Sequence, residues 1–291
     1  MTPLRIAITA DLHYGPRHST GRQATHDLVA HLKEQSPDVT ILAGDIGAGD
    51  DFAKCLELFE GVPGAKCCVP GNHDVWVNDG DERGDSLRVY REYLPRVCRE
   101  RGFHYLDDSP LSLPDSGPTI IGNMNWYDYS WGIDALRELT DDWEERLQLK
   151  RFLRGRHNDA NFVKWPFDDA GFAKDCVSTF EKHLAATTGP VFAVTHHPPF
   201  RWLNLPRKGP PTLDGTLWEC FSGNSAMEAL LLKHSNRVKF AFCGHTHKER
   251  DGEQNDIEGF NIGGDYHFKR LLWLDWPTGT VTGLEFHGAG S

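Results

Sequence analysis

LRIAITADLH (residues 4–13), VTILAGD (39–45) and AKCCVPGNHD (65–74) share one pattern: a short apolar run stops abruptly at a polar side chain able to bind metal. Apolar runs of this length, bounded by turn residues, read as strands buried on both faces. Helical patterns lie between them. Leu28, Val29 and Leu32 fall on one face of a helix near 20–35 that Pro37 ends, and Phe52, Leu56 and Phe59 recur at helical spacing behind Asp50, which can cap that helix. Strand, helix, strand, helix, strand with short connections implies parallel pairing through right-handed crossovers, hence an α/β fold.

Further along, a helix is expected near 85–100, and short strands near 103–106, 111–113 and 118–122. Residues 126–168 change texture. Trp126, Tyr127, Tyr129, Trp131, Trp143 and Trp165 are interleaved with charges and no strand pattern survives, so this stretch reads as a helical, aromatic-rich insertion or cap. A helix near 169–186, a strand at Pro190–Thr195, a Pro/Gly-rich loop at 198–215, a helix near 224–235 and a strand at Val238–Cys243 follow. The last forty residues alternate like antiparallel strands. No repeat, low-complexity tract or linker interrupts the chain, and a single domain over 1–291 is the simplest organisation.

Composition narrows the class. The 291 residues carry a formal net charge of −11, which disfavours non-specific binding to a nucleic-acid backbone. Seven cysteines, an odd number without any C-x-x-C pair, suggest buried free thiols in a reducing compartment rather than a disulfide framework. No signal-peptide pattern precedes the first strand and no apolar run approaches a membrane span, so a cytoplasmic protein is expected.

Five stretches carry the chemistry: Asp11-Leu12-His13, Gly44-Asp45, Gly71-Asn72-His73-Asp74, His196-His197-Pro198 and Gly244-His245-Thr246-His247. Each begins where an apolar run ends, and in an open α/β sheet those ends line one rim where ligands bind. Carboxylate, imidazole and carboxamide without thiolate suit manganese, iron, zinc or a similar divalent ion. The glycines at 44, 71 and 244 let the backbone turn tightly off each strand. His245 and His247, two apart in an extended segment, present both imidazoles on one side. A lone D-x-H or G-D is weak. The whole set, in order and at strand ends, is specific.

With these motifs the chain resembles the calcineurin-like metallophosphoesterase superfamily, over about residues 4–75 and 190–265. The resemblance implies two mixed β-sheets packed as a sandwich flanked by helices, the four-layer metallophosphoesterase fold. It implies two divalent metal ions, one held by Asp11, His13, Asp45 and His247, the other by Asp45, Asn72, His196 and His245, with Asp45 bridging. His197 is the alternative to His196, but the family's ligand usually stands two before the proline. His73 is implied as the imidazole that protonates the leaving oxygen, oriented by Asp74. The implied activity is hydrolysis of a small-molecule phosphodiester by a hydroxide shared between the ions. D-x-H in place of D-x-G, Ala48 in place of a tyrosine, and the absence of a G-D-x-V-D-R-G run separate the chain from the purple acid phosphatases and the Ser/Thr phosphoprotein phosphatases. It looks closest to bacterial-type small phosphodiesterases.

Tyr14, Trp126, Tyr127, Tyr129, Trp165, Arg201 and Trp202 are candidate substrate contacts. Core packing is the competing explanation for the tryptophans, while Arg201 suits a bidentate phosphate contact. A phosphomonoesterase, a nuclease using the basic cluster of Arg146, Lys150, Arg151, Arg154 and Arg156, and a catalytically silent protein-binding scaffold are the rival functions.

Overall fold

The computed structural model describes residues 3–114, 117–206 and 209–288. In chain order, the strands among these are β1 (Leu4–Thr9), β2 (Val39–Ala43), β3 (Ala65–Val69), β4 (His104–Tyr105), β5 (Leu111–Ser112), β6 (Thr119–Asn123), β7 (Val191–Thr195), β8 (Val238–Cys243), β9 (Arg250–Gln254), β10 (Ile257–Asn261), β11 (Phe268–Trp276) and β12 (Thr280–His287). They form two mixed six-stranded sheets, ordered β12-β11-β1-β2-β3-β4 and β5-β6-β7-β8-β10-β9. The three strands expected from the opening motifs pair in parallel, β1 with β2 and β2 with β3.

Alternation along these strands builds the layers. Ile6 and Ile8 of β1, Val39 and Ile41 of β2, and Cys67 and Val69 of β3 face the second sheet, where they meet Ile120, Phe192, Val194, Phe240 and Phe242. Burying each such aliphatic side chain contributes about 1.5–3 kcal/mol. The opposite face of the first sheet packs Ala7, Leu42 and Cys68 under the helices Ser19–Gln35 and Asp51–Leu58. Ile121, Ala193 and Ala241 on the outer face of the second sheet are covered by the helices Asp169–Ala185 and Ser225–Lys233. Both faces of the central strands are therefore dry, which explains why their sequences read as continuous apolar runs.

The helix expected near 85–100 is interrupted by one wide π turn, Val89–Tyr93, just before Pro95. Proline cannot donate the i→i−4 bond and its ring crowds that carbonyl, and a wider turn relieves both problems. Residues 126–168 hold the short helices Ile133–Leu139, Trp143–Leu149 and Asp159–Phe162, as the loss of strand patterning predicts. The expectation of an antiparallel tail holds for β11 and β12 but needs correction for residues 257–261. There β10 pairs in parallel with β8, and antiparallel only with β9. β9 is an edge strand of sequence RDGEQ, so it has no apolar alternation by which to be recognised.

All seven cysteines are free and buried. Burial pushes the Cys55, Cys67, Cys176 and Cys243 thiols well up, and Cys220 up to about 12, so they stay neutral and unreactive near neutral pH. The folded chain is expected to resist a thiol-disulfide reagent at pH 8, with seven thiols titrating only in denaturant. Rapid reaction of any thiol in the folded chain would contradict this packing.

Candidate metal centre

All five motifs arrive at one rim. β1 delivers Asp11 and His13, β2 delivers Asp45, β3 delivers Asn72, β7 delivers His196, and β8 delivers His245 and His247. Backbone bonds tie these strand ends together. Asp11 N–H donates to Gly44 O at 3.0 Å, His13 N–H to Asp45 O at 2.8 Å, and Gly244 N–H to His196 O at 3.0 Å. Eleven non-glycine residues among those described have positive φ, and five of them are Asp11, His13, Asp45, His245 and His247. Such conformations cost energy in L-residues and persist where the surroundings enforce them, commonly at functional sites.

The glycines have a sterically specific use. A Cβ on Gly44 would stand 2.5 Å from His196 Nδ1, one on Gly71 would stand 2.1 Å from Asp45 Oδ1, and one on Gly244 would stand 2.5 Å from Asp11 Oδ2. Each motif glycine thus makes room for a ligand-type side chain from a different strand.

Asp11, His13, Asp45 and His247 offer donor atoms that all lie within 4.8 Å of one another. His13 Nε2 is 3.6 Å from Asp45 Oδ2, and His247 Nε2 is 3.7 Å from Asp11 Oδ1. The same Asp45 oxygen lies 3.4 Å from His196 Nε2, which is itself 3.1 Å from Asn72 Oδ1. The His245 ring centre is 5.3 Å from that of His196. Of the adjacent pair, His196 faces the cluster with Nε2 while Nδ1 meets Ala43 O. His197 packs behind it against Trp126 and His245, with Nδ1 on Met124 O.

The electrostatics suit a cation. Burial pushes the Asp11 carboxyl up to about 7 and lowers the imidazoles of His13, His245 and His247, the last to about 4. Burial also opposes a charge on His196, but the adjoining Asp45 carboxylate prevails and raises it to about 9. Asp11 Oδ2 is buried without a hydrogen-bond partner in the protein. The neutral imidazoles of His13, His245 and His247 and the orphaned Asp11 oxygen are in the form that binds divalent ions, and His196 would give up its proton to such an ion.

Two expectations change. Asp74 does not orient His73. Its oxygens accept from Gly47 N–H at 2.8 Å and Gly71 N–H at 2.7 Å, so it ties the two ligand loops together. His73 is instead stacked on Trp76, ring centres 3.6 Å apart, with Nε2 3.8 Å from Asp45 Oδ2. Trp126 and Tyr127 are 0 % exposed and serve as core: their polar tips bond to Asp169 and Asp159. Tyr129 and Trp165 pack against the same cluster. Arg201 pairs with Glu219, Trp202 Nε1 donates to Gln254, and both line a small cavity apart from the cluster. Tyr14 lines a large groove that reaches the metal-type residues at His13 and His73.

Sequence reasoning missed Tyr266, whose ring lies 4.3 Å from that of His13 and 5.2 Å from that of His247. It also missed buried Lys269, which donates to Asp11 O, and buried Asp159, which bonds Asn72. None lies in a motif. Gly71→Ala is expected to displace Asp45 and weaken divalent-ion binding by roughly tenfold or more, on the scale of losses from disturbed ligand orientation. Equilibrium dialysis with Mn(II) measures it, and unchanged uptake would show that Gly71 is dispensable.

An acyl-carrier-protein phosphodiesterase, PptH, of Mycobacterium tuberculosis is 30% identical over 126 residues, 42% of this chain; the match spans only 37% of that relative's length. The crystal structure of a phosphopantetheinyl hydrolase, PptH, from the same organism superposes with a TM-score of 0.69 at 19% identity, covering 90% of this chain and 89% of that one. A dimetal phosphatase from Danio rerio superposes at 0.53 with 13% identity, covering 98% and 99%. At these identities the two structures speak to the fold. The calcineurin-like phosphoesterase model matches residues 4–249, and the chain belongs to that family.

Proposed function

We propose that the chain is a two-metal hydrolase of phosphodiesters, and the observation that supports it best is the position of Asp45 between two groups of donors. Asp11, His13 and His247 would hold one ion, Asn72, His196 and His245 the other, and Asp45 both. Such an ion pair supplies charge stabilisation and an acidified water for phosphoryl hydrolysis. His73 lies at the edge of this cluster, fixed by its stack on Trp76 and partly exposed, where it can hand a proton to the departing oxygen.

Two cavities support a substrate with two arms. A cavity of about 360 Å³ contains Asp45, Asn72, His245 and His247. A wider groove of about 1320 Å³ runs past Tyr14 and Arg83. They share His73, Trp76, Asn158 and Tyr266, so a phosphorus at the metal cluster could send one ester substituent each way. Phe152, Arg156 and His157 wall the smaller cavity, which supports reading 126–168 as a cap on a single domain. The name of the M. tuberculosis relative favours a phosphodiester carried on an acyl carrier protein as one substrate to try.

A nuclease role has less support. In the basic cluster, Arg146 and Arg151 pair with Asp142, and Lys150 with Asp169. No helix among the described residues is long and apolar enough to cross a membrane, and the free thiols suit a reducing, cytoplasmic setting.

Reconstitution with manganese, iron or zinc, followed by assay on bis-p-nitrophenyl phosphate, cyclic nucleotides, holo acyl carrier protein, phosphomonoesters and single-stranded DNA, tests the assignment. Diester cleavage well above monoester cleavage is expected; preference for monoesters or DNA would overturn it. His73→Asn should depress esters of poor alkoxide leaving groups by roughly 10²–10⁴-fold while sparing p-nitrophenyl esters. Equal losses on both would remove the proton-donor role.

A further inference from the structure

We infer that Asp159 is the positioning residue that decides which end of the Asn72 carboxamide faces the metal cluster. The inference rests on the reading of Asn72 as a metal ligand.

Asp159 comes from the aromatic segment, far in sequence from every motif, and is 1% exposed. Its Oδ1 accepts from Asn72 Nδ2 at 2.9 Å and from Trp76 Nε1 at 2.8 Å. Its Oδ2 accepts from Tyr127 O–H at 3.0 Å and lies 3.2 Å from His157 Nδ1. The polarity of this network has one solution. An indole N–H can only donate and a carboxylate can only accept, so the atom of Asn72 facing Asp159 must be its nitrogen. The two ends of a carboxamide are hard to distinguish by shape alone; here the hydrogen bonds distinguish them. The oxygen is thereby turned toward His196 Nε2 and Asp45, the side where a cation would sit.

The same carboxylate reaches His73. Trp76, held through its indole nitrogen, is the plate on which His73 stacks. One residue outside the motifs thus positions both a ligand oxygen and the proton donor. A Leu at 159 breaks this arrangement, because it fills similar volume but accepts no hydrogen bond, and the Asn72 amide and the Trp76 indole lose the partner that orients them.

The test uses calorimetric Mn(II) titration of the full chain, with circular dichroism to verify folding. Asp159→Leu should weaken one of two binding steps by roughly tenfold to a hundredfold, the usual cost of losing a ligand's supporting hydrogen bond, and leave the other unchanged. Two native-like steps, or equal weakening of both, would overturn the inference. If Asp159→Leu does not fold, the Trp76→Phe background removes the second donor to Oδ1 and permits a swap. There, Asn72→Asp/Asp159→Asn restores a donor–acceptor pair with reversed roles and should bind more tightly than Asn72→Asp, whose two carboxylates face each other. Equal or weaker binding by the swap would overturn the inference. A native chain that takes up no ion would instead refute the metal reading itself.

Discussion

The Asp45 carboxylate is the point on which the structure turns. One of its oxygens lies 3.6 Å from His13, 3.4 Å from His196 and 3.8 Å from His73, and it is almost wholly withdrawn from water. Its other oxygen accepts the His73 N–H at 2.9 Å, so the carboxylate also fixes the loop that follows β3. A carboxylate buried this deeply needs positive charge beside it. The imidazoles of His13 and His247, which burial keeps neutral, do not provide that charge; protonated His196 provides part of it, and a divalent ion would take its place.

The remainder of the fold can be understood as what brings those donors together. Two sheets packed face to face place the ends of β1, β2, β3, β7 and β8 along one edge, and the dry core between them makes that edge rigid. Close approach of the ends then requires glycine at 44, 71 and 244, where any side chain would collide with a neighbouring donor. It also requires left-handed backbone at five of the donors themselves. Asp74 joins the loops after β2 and β3 through backbone bonds, and Lys269 fastens the Asp11 carbonyl. The rigid core bears the strain that the rim needs.

Much of this was legible in the sequence because it is written locally. The first three strands are apolar runs closed by polar motifs, and each motif names its own ligand candidates. The proline spacing that favours His196 over His197 agrees with the way the two rings face. What was not legible depends on partners distant in the chain. β9 lacks alternation because it is an exposed edge. Trp126 and Tyr127 resemble rim aromatics until the fold buries them. Asp74 follows His73 directly, yet its side chain turns to the Gly47 and Gly71 amides. Asp159 is an isolated acid in an aromatic stretch, and only its convergence with Asn72, Trp76 and Tyr127 gives it meaning.

Frozen-solution electron paramagnetic resonance of the chain saturated with Mn(II) probes the central claim directly. Two ions sharing the Asp45 carboxylate should give an exchange-coupled spectrum, with two manganese atoms per chain, and Asp45→Asn should abolish the coupling. A spectrum of isolated Mn(II) at saturation, or uptake of a single ion, would contradict the account.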